Sequence, residues 1–315
     1  MRPLEGCLVL DFSTLLPGPL ATLLLAEAGA EVIKIERPGG DEVPSLAPLN
    51  RGKRRLVLDL KSQHDRDQLH PLLGHADVLV EQFRPGVMQR LGLGYDHLAA
   101  INPKIVYCSI TGYGQDGPKS GVAGHDVNYI AETGLLSVSM GTPSNPVIPP
   151  ALIADIAGGS YPAVINILLA LRERDITGRG RHLDVSMTDN LFTLTLGRSV
   201  ITSGSPRYRL YPTKDGRMLA VGALEQRFWD SLCDITALDA ELRDDDANPA
   251  ATMKRLGEII AGETADTWAR RIADRDCCCC IVATVEEASR DPHFVARGVI
   301  PGLHVPIDRR FREPL

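Results

Sequence analysis

Leu20-Ala-Thr-Leu-Leu-Leu-Ala-Glu27, then Ala28-Gly29-Ala30, then Glu31-Val-Ile-Lys-Ile-Glu36 is the stretch on which the fold turns. A helical segment runs directly into a short β-like run, and the same exchange recurs on both sides of it. Leu8 to Phe12, Leu56 to Leu60, Val78 to Glu81 and Ile105 to Ile110 are further β-like runs, and Asp65 to Leu73 is a further helical stretch. Apolar, β-branched runs separated by amphipathic segments imply parallel strands covered by helices. The pattern is that of a doubly wound α/β domain. Leu15-Leu16-Pro17-Gly18-Pro19 joins the first strand to its helix where a dinucleotide site would need G-x-G-x-x-G, and neither that motif nor a Walker-type loop is present. On local grounds this turn merely connects two elements.

Of the 315 residues, 44% are hydrophobic and 23% charged, the balance of a globular protein with a sizeable core. A net charge of −6 argues against a general nucleic-acid surface, because phosphate affinity comes from an excess of Lys and Arg. Apolar runs such as Leu20 to Ala26 are too short for a membrane span. The opening Met1-Arg2-Pro3-Leu4-Glu5-Gly6 does not read as a secretory leader, so a cytoplasmic protein without a membrane partner is expected.

Beyond the helical run Tyr161 to Glu173 and the strand-like Arg181 to Ser186, a second region opens near Thr202. Arg209 to Gly222 reads as two strands joined by an Asp215-Gly216 turn. Helical stretches at Phe228 to Cys233 and Ala250 to Ala261 follow, giving a smaller α+β domain over 205–290. Seven cysteines include the run Cys277-Cys278-Cys279-Cys280. Four adjacent thiols cannot all face one tetrahedral metal, so the run is expected to be small buried apolar residues in a strand, and no metal site is expected.

Three ionisable residues stand in turn-like settings, where loops at strand ends carry function. They are His125 in Gly124-His-Asp-Val-Asn-Tyr129, Asp155 in Ala154-Asp-Ile-Ala-Gly-Gly159, and Glu225 in Leu224-Glu-Gln-Arg-Phe-Trp229. Taken singly, each has a plain structural reading: a satisfied histidine, a helix N-cap before Ile156, and a first-turn acid favoured by the helix dipole. Spacing alone does not bring them together.

A longer set of motifs does. Leu4-Glu-Gly6 with Pro17-Gly-Pro19, Leu25 to Pro38, Asn50-Arg-Gly-Lys-Arg54, Leu58-Asp-Leu-Lys61, Ala76 to Gly86 and Ser109 to Pro118 together resemble the family III CoA-transferase (CaiB/BaiF) superfamily over nearly the whole chain. That group contains formyl-CoA transferase, carnitine CoA-transferase and α-methylacyl-CoA racemase. The Gly124-His125-Asp126-x-Asn128-Tyr129 string, with Asp155 and Glu225, is similar to its racemase branch. The resemblance implies a Rossmann-like large domain (1–200, with 291–315 returning to it), the smaller domain, and an interlocked homodimer. It implies His125 and Asp155 as an acid/base pair and Glu225 as the group orienting His125, reached across the subunit boundary. It implies CoA contacts from Leu15, Arg37, Leu58, Lys61, Phe83, Arg84, Arg90, Asp126 and Tyr129, and no cofactor beyond the CoA of the substrate.

The implied chemistry accounts for the residue types. Inverting a carbon through a planar enolate needs one group to take a proton from one face and a second, protonated, to deliver one to the other. Backbone N–H groups at a helix start near Gly158-Gly159 are expected to steady the enolate oxygen. The rival is a CoA-transferase, in which Asp155 would form an acyl-aspartyl adduct. At 315 residues the chain is shorter than typical members, Ser199 to Tyr211 is compressed and the tail after Gly302 is brief, which bears on the acyl pocket.

Overall fold

The computed structural model describes residues 2–40, 43–138, 145–197, 204–299, 306–308 and 311. It divides into two compact units, Met1–Thr195 with Val305–Leu315, and Leu196–His304.

In the larger unit, strands β1 (Leu8–Asp11), β2 (Glu31–Glu36), β3 (Arg54–Val57), β4 (Val78–Glu81), β5 (Val106–Thr111) and β6 (His182–Ser186) form one sheet in the order β3-β2-β1-β4-β5-β6. Every pairing is parallel. Alternate side chains feed two apolar layers, as a pleated strand requires. Val9, Val32, Val78, Val80, Val106 and Cys108 pack with Ala21, Leu25, Ala163, Ile167 and Ala170. Leu10, Ile33, Leu79 and Tyr107 pack on the other face with Leu69, Leu73, Met88 and Leu98. A sheet buried on both faces explains why its strands read as continuous apolar runs.

Two sequence expectations shift. The third strand lies at Arg54–Val57, ahead of Leu56 to Leu60, and Asp65 to Leu73 becomes two short helices, Gln63–Asp67 and His70–His75. Pro71 sets that break, since it lacks the N–H an unbroken helix would use and suits a helix start.

Helix Tyr161–Thr177 continues a single π-helical stretch, Ala154–Ser160. Over the combined Ala154–Thr177, an 18-residue window reaches mean hydropathy 1.4, long and apolar enough for a membrane span by length and composition, although the uncharged runs of the sequence are too short for one. Ala163, Ile167, Ala170 and Leu171 turn that apolarity inward, while Ile165, Leu169 and Ile176 leave an exposed stripe.

The smaller unit holds an antiparallel sheet of β7 (Tyr208–Pro212), β8 (Met218–Gly222) and β9 (Cys279–Ile281). The β7–β8 hairpin turns at Asp215-Gly216, with Gly216 at φ +77°, a conformation glycine adopts without penalty. Trp229 and Trp268 are fully buried, each N–H donating to a backbone carbonyl (Arg243 O, 2.7 Å; Ile260 O, 2.9 Å). The cysteine run departs from the expectation of a buried strand. Cys277 is buried, but Cys278 and Cys280 are exposed and Cys279 is half-buried, because β9 is an edge strand and begins only at Cys279.

The tail also departs. Residues 291–304 group with the smaller unit, where helix Pro292–Ala296 packs on helix Val285–Arg290, and only 305–315 returns to the large unit, with Ile307 against Leu23 and Leu24. Thr202, with the rest of residues 199–203 at the start of the compressed Ser199 to Tyr211 segment, lies outside the described residues.

Candidate active site

The strand order reverses between β1 and β4, and the loops leaving the carboxyl ends of those strands part there, the position at which open α/β sheets bind ligands. Two clefts of about 500 and 510 Å³ open at this point. The first is lined by the loop after β1, by Glu36 and Arg37 at the end of β2, and by Leu58 to Lys61 after β3. The second is lined by Gln82 to Pro85 after β4, Ile110 to Tyr113 at the end of β5, the His125 turn, Asp155 and Met187. Leu15 and Phe83 line both. Leu15 reaches that shared position in a left-handed conformation (φ +58°), uncommon for a side chain other than Gly, Asn or Asp.

Buried charge fixes the loop that carries Leu15. Asp11 ends β1 with no exposed surface, and its carboxylate accepts the Ser13 N–H (2.9 Å), the Thr22 hydroxyl (2.6 Å) and the Lys53 ammonium (3.0 Å). The Lys34 ammonium lies 3.6 Å away and donates to the Ser13 carbonyl. Burial alone would raise the Asp11 carboxyl; the Lys53 and Lys34 charges, with the Ser13 and Thr22 hydroxyls, overcome that and hold it at about 2. Gln82 ties the two loops together by accepting the Gly18 N–H (3.1 Å). A Cβ on Gly18 would stand 2.7 Å from that Gln82 oxygen and 2.1 Å from Ser13, so the approach needs glycine.

Of the residues singled out from sequence, His125 and Asp155 line the second cleft together. Asp155 occupies the first turn of the π-helix, one residue inside its start, and so does not cap it. Asp126 lies beneath. It lines neither cleft, is buried, and accepts the Asp155 N–H at 3.0 Å along with those of Ala154 and Ile153. Burial nonetheless raises the Asp126 carboxyl. Asp155 is raised to about 6, first by burial, then by the Asp126 charge, with His125 pulling the other way. A carboxyl at that value is shared between its protonated and ionised forms near neutral pH.

Tyr129 is a pillar of this cleft. Its hydroxyl donates to the Gly124 carbonyl (2.6 Å), and its ring fills the space that a Cβ on Gly112 or Gly124 would take. The expectation for Gly158 and Gly159 is corrected. They lie buried inside the π-helix, and a Cβ on Gly158 would meet the Met187 carbonyl at 2.5 Å, so they serve close packing; the N–H groups at the helix start are taken by Asp126. Asn190 donates to the Gly158 carbonyl (2.8 Å), a group the π-turn frees.

Arg37, Leu58 and Lys61 line the first cleft and Arg84 the second, with Leu15 and Phe83 between them. Arg90 lines neither; its guanidinium stands over Gly86. Glu225 belongs to the smaller unit, exposed at the start of helix Gln226–Thr236, where its carbonyl accepts the Phe228 and Trp229 N–H groups. Lys34, Lys53 and Gln82 stand in the recognised motifs but carry no visible sign of their role, which depends on the burial of Asp11 and on the meeting of two loops.

The sequence signature of CoA-transferase family III matches residues 4–308. The chain belongs to CoA-transferase family III. Its relatives divide by activity. Human α-methylacyl-CoA racemase is 35% identical over 94% of this chain and 81% of its own length, and the succinate–glutarate CoA-transferase of Agrobacterium fabrum is 33% identical over 97% and 89%. Among solved structures, Rv3272 of Mycobacterium tuberculosis superposes at a TM-score of 0.82 with 31% identity, covering 95% of this chain and 88% of that one. A CaiB/BaiF family protein of Brucella suis gives 0.81 with 28% identity, covering 94% and 88%. This member of the family is thus an enzyme of the CoA-transferase/racemase type.

Proposed function

We propose that this enzyme is an acyl-CoA racemase that interconverts 2-methylacyl-CoA stereoisomers by moving the α-proton off one face and onto the other. The observation that carries the reading is that His125 and Asp155 share one cleft while Asp155 is held at about 6. An imidazole sharing a cleft with a carboxyl held at about 6 forms an acid/base pair able to work in either direction. Asp126 contributes by fixing the backbone of Asp155 and by keeping its carboxyl partly protonated.

The nucleotide end of coenzyme A suits the first cleft, where Arg37 and Lys61 offer positive charge beside Leu58 and Phe83. The pantetheine arm passes Leu15 and Phe83, and the thioester lies in the second cleft with Arg84 at its mouth. No cofactor beyond that CoA is invoked. We further propose that two copies interlock, covering the Ile165, Leu169 and Ile176 stripe, and that Glu225 of one copy orients His125 of the other.

The transferase reading uses Asp155 as a nucleophile and has no need of His125. The two are separated by offering acyl-CoA with a free carboxylic acid and hydroxylamine. The racemase reading expects no CoA transfer, no trapped Asp155 adduct, and a loss of about 10²- to 10⁴-fold in epimerisation for His125→Ala. Transfer that survives His125→Ala would contradict it.

A further inference from the structure

Two carboxylates end the strands on either side of the switch point, and each hooks the loop that follows it by accepting the N–H two residues on. Asp11 holds Ser13 (2.9 Å), and Glu81 holds Phe83 (2.8 Å). Their surroundings differ. Asp11 is locked as an anion by Lys34 and Lys53. Glu81 is buried (3% exposed), and among the described residues the groups that face it include no ammonium or guanidinium. From β5 come Tyr107, Cys108 and Ser109, whose hydroxyl bonds Glu81 and lies 2.9 Å from His182 Nε2; from β6 come Asp184 and His182. His182 is itself packed between Tyr95 and Tyr107, with Asp96 nearby.

We propose that Glu81 is a positioning residue for coenzyme A: as an anion it clamps the Gln82-Phe83-Arg84 loop shared by the two clefts, and its protonation loosens that clamp and weakens CoA binding. The loop is the joint of the site, since Phe83 lines both clefts, Arg84 lines the second, and Gln82 fastens the loop to Gly18. An anionic acceptor bonds the Phe83 N–H more strongly than a neutral one. Burial, which is the main cause, together with Asp184, raises Glu81 to about 7 against the opposing pull of Ser109 and the Phe83 N–H. The switch therefore falls in the physiological range, whereas Asp11 stays charged throughout it. The proposal rests on the assignment of the clefts to coenzyme A.

The test is isothermal titration of the full chain with free CoA between pH 6 and pH 8.5, for the wild type and Glu81→Gln. Comparing the two proteins at each pH cancels the titration of the CoA phosphates and of Asp155. The proposal expects the variant to bind about fivefold more weakly at pH 8.5, the difference between a charge-assisted and a neutral hydrogen bond, and the two proteins to converge by pH 6. A structural role alone would not move this pH dependence. The thermal midpoint supplies the second reading. A carboxyl raised by burial favours the fold below its unfolded value, and that advantage is lost as pH rises through about 7, so Glu81→Gln should match or exceed the wild-type midpoint at pH 8.5. Equal affinities at pH 8.5 with a folded variant would overturn the clamp while leaving CoA binding standing. A wild type that does not bind CoA would overturn both.

Discussion

A buried carboxylate is an unusual neighbour for the carboxyl proposed as a proton carrier, and Asp126 under Asp155 has measurable consequences. Because the Asp126 charge raises Asp155, replacing it with Asn, which still accepts the backbone N–H, should move the acidic limb of the epimerisation profile from about pH 6 toward lower pH; an unmoved limb would contradict this account. Asp11 follows the opposite sign. Its folded value of about 2 lies below the ordinary 3.8, so it contributes about 2 kcal/mol above pH 4, lost as the pH falls toward 2. Lys53→Met strips a buried partner from that anion, and an unfolding titration should show a loss of about 3–5 kcal/mol; less than about 1 would mean that Lys34 suffices alone. His125 and Asp155 could be named from sequence because a motif carries them. Asp11, Lys53 and Gln82 could not be given roles, because burial and loop-to-loop contact have no signature in a single string of residues.

Elements legible in the sequence are those whose burial is complete. The run Glu31 to Glu36 has a paired strand on each edge and an apolar layer on each face, and its bounds were plain. Two edge strands were read less well: β3 is largely exposed, so its apolar pattern is faint and its bounds drift by two to three residues, and β9 buries only part of a cysteine run that looks uniformly apolar. The π-helix escaped altogether, since its signal is a packing constraint. Gly158→Ala tests that constraint. Helix propensity favours Ala by about 1 kcal/mol, whereas a Cβ 2.5 Å from the Met187 carbonyl should cost about 1–3 kcal/mol in unfolding free energy. A stabilised variant would mean that the segment relaxes and that the π-helical turn carrying Asp155 is not fixed by Met187.

At the scale of the whole molecule, the exposed stripe of Ile165, Leu169 and Ile176 is the feature that a single copy leaves unexplained. If two copies cover it, sedimentation of Leu169→Glu should show monomers and the wild type dimers, with epimerisation lost alongside because Glu225 would no longer reach His125; a monomeric wild type that is fully active would remove that partnership. The parallel sheet was legible as a class from alternation alone, its strand order was not, and the candidate site was legible only through the family's motifs, since residues 15, 83, 125 and 155 meet by topology rather than by spacing. The central claim is that one cleft holds two proton carriers for a single carbon. Incubating the enzyme with one epimer of a 2-methylacyl-CoA in deuterated water measures it directly: the account predicts deuterium at the α-carbon together with loss of stereochemical purity, the loss of purity abolished by Asp155→Asn, and an unexchanged, stereochemically intact thioester would contradict it.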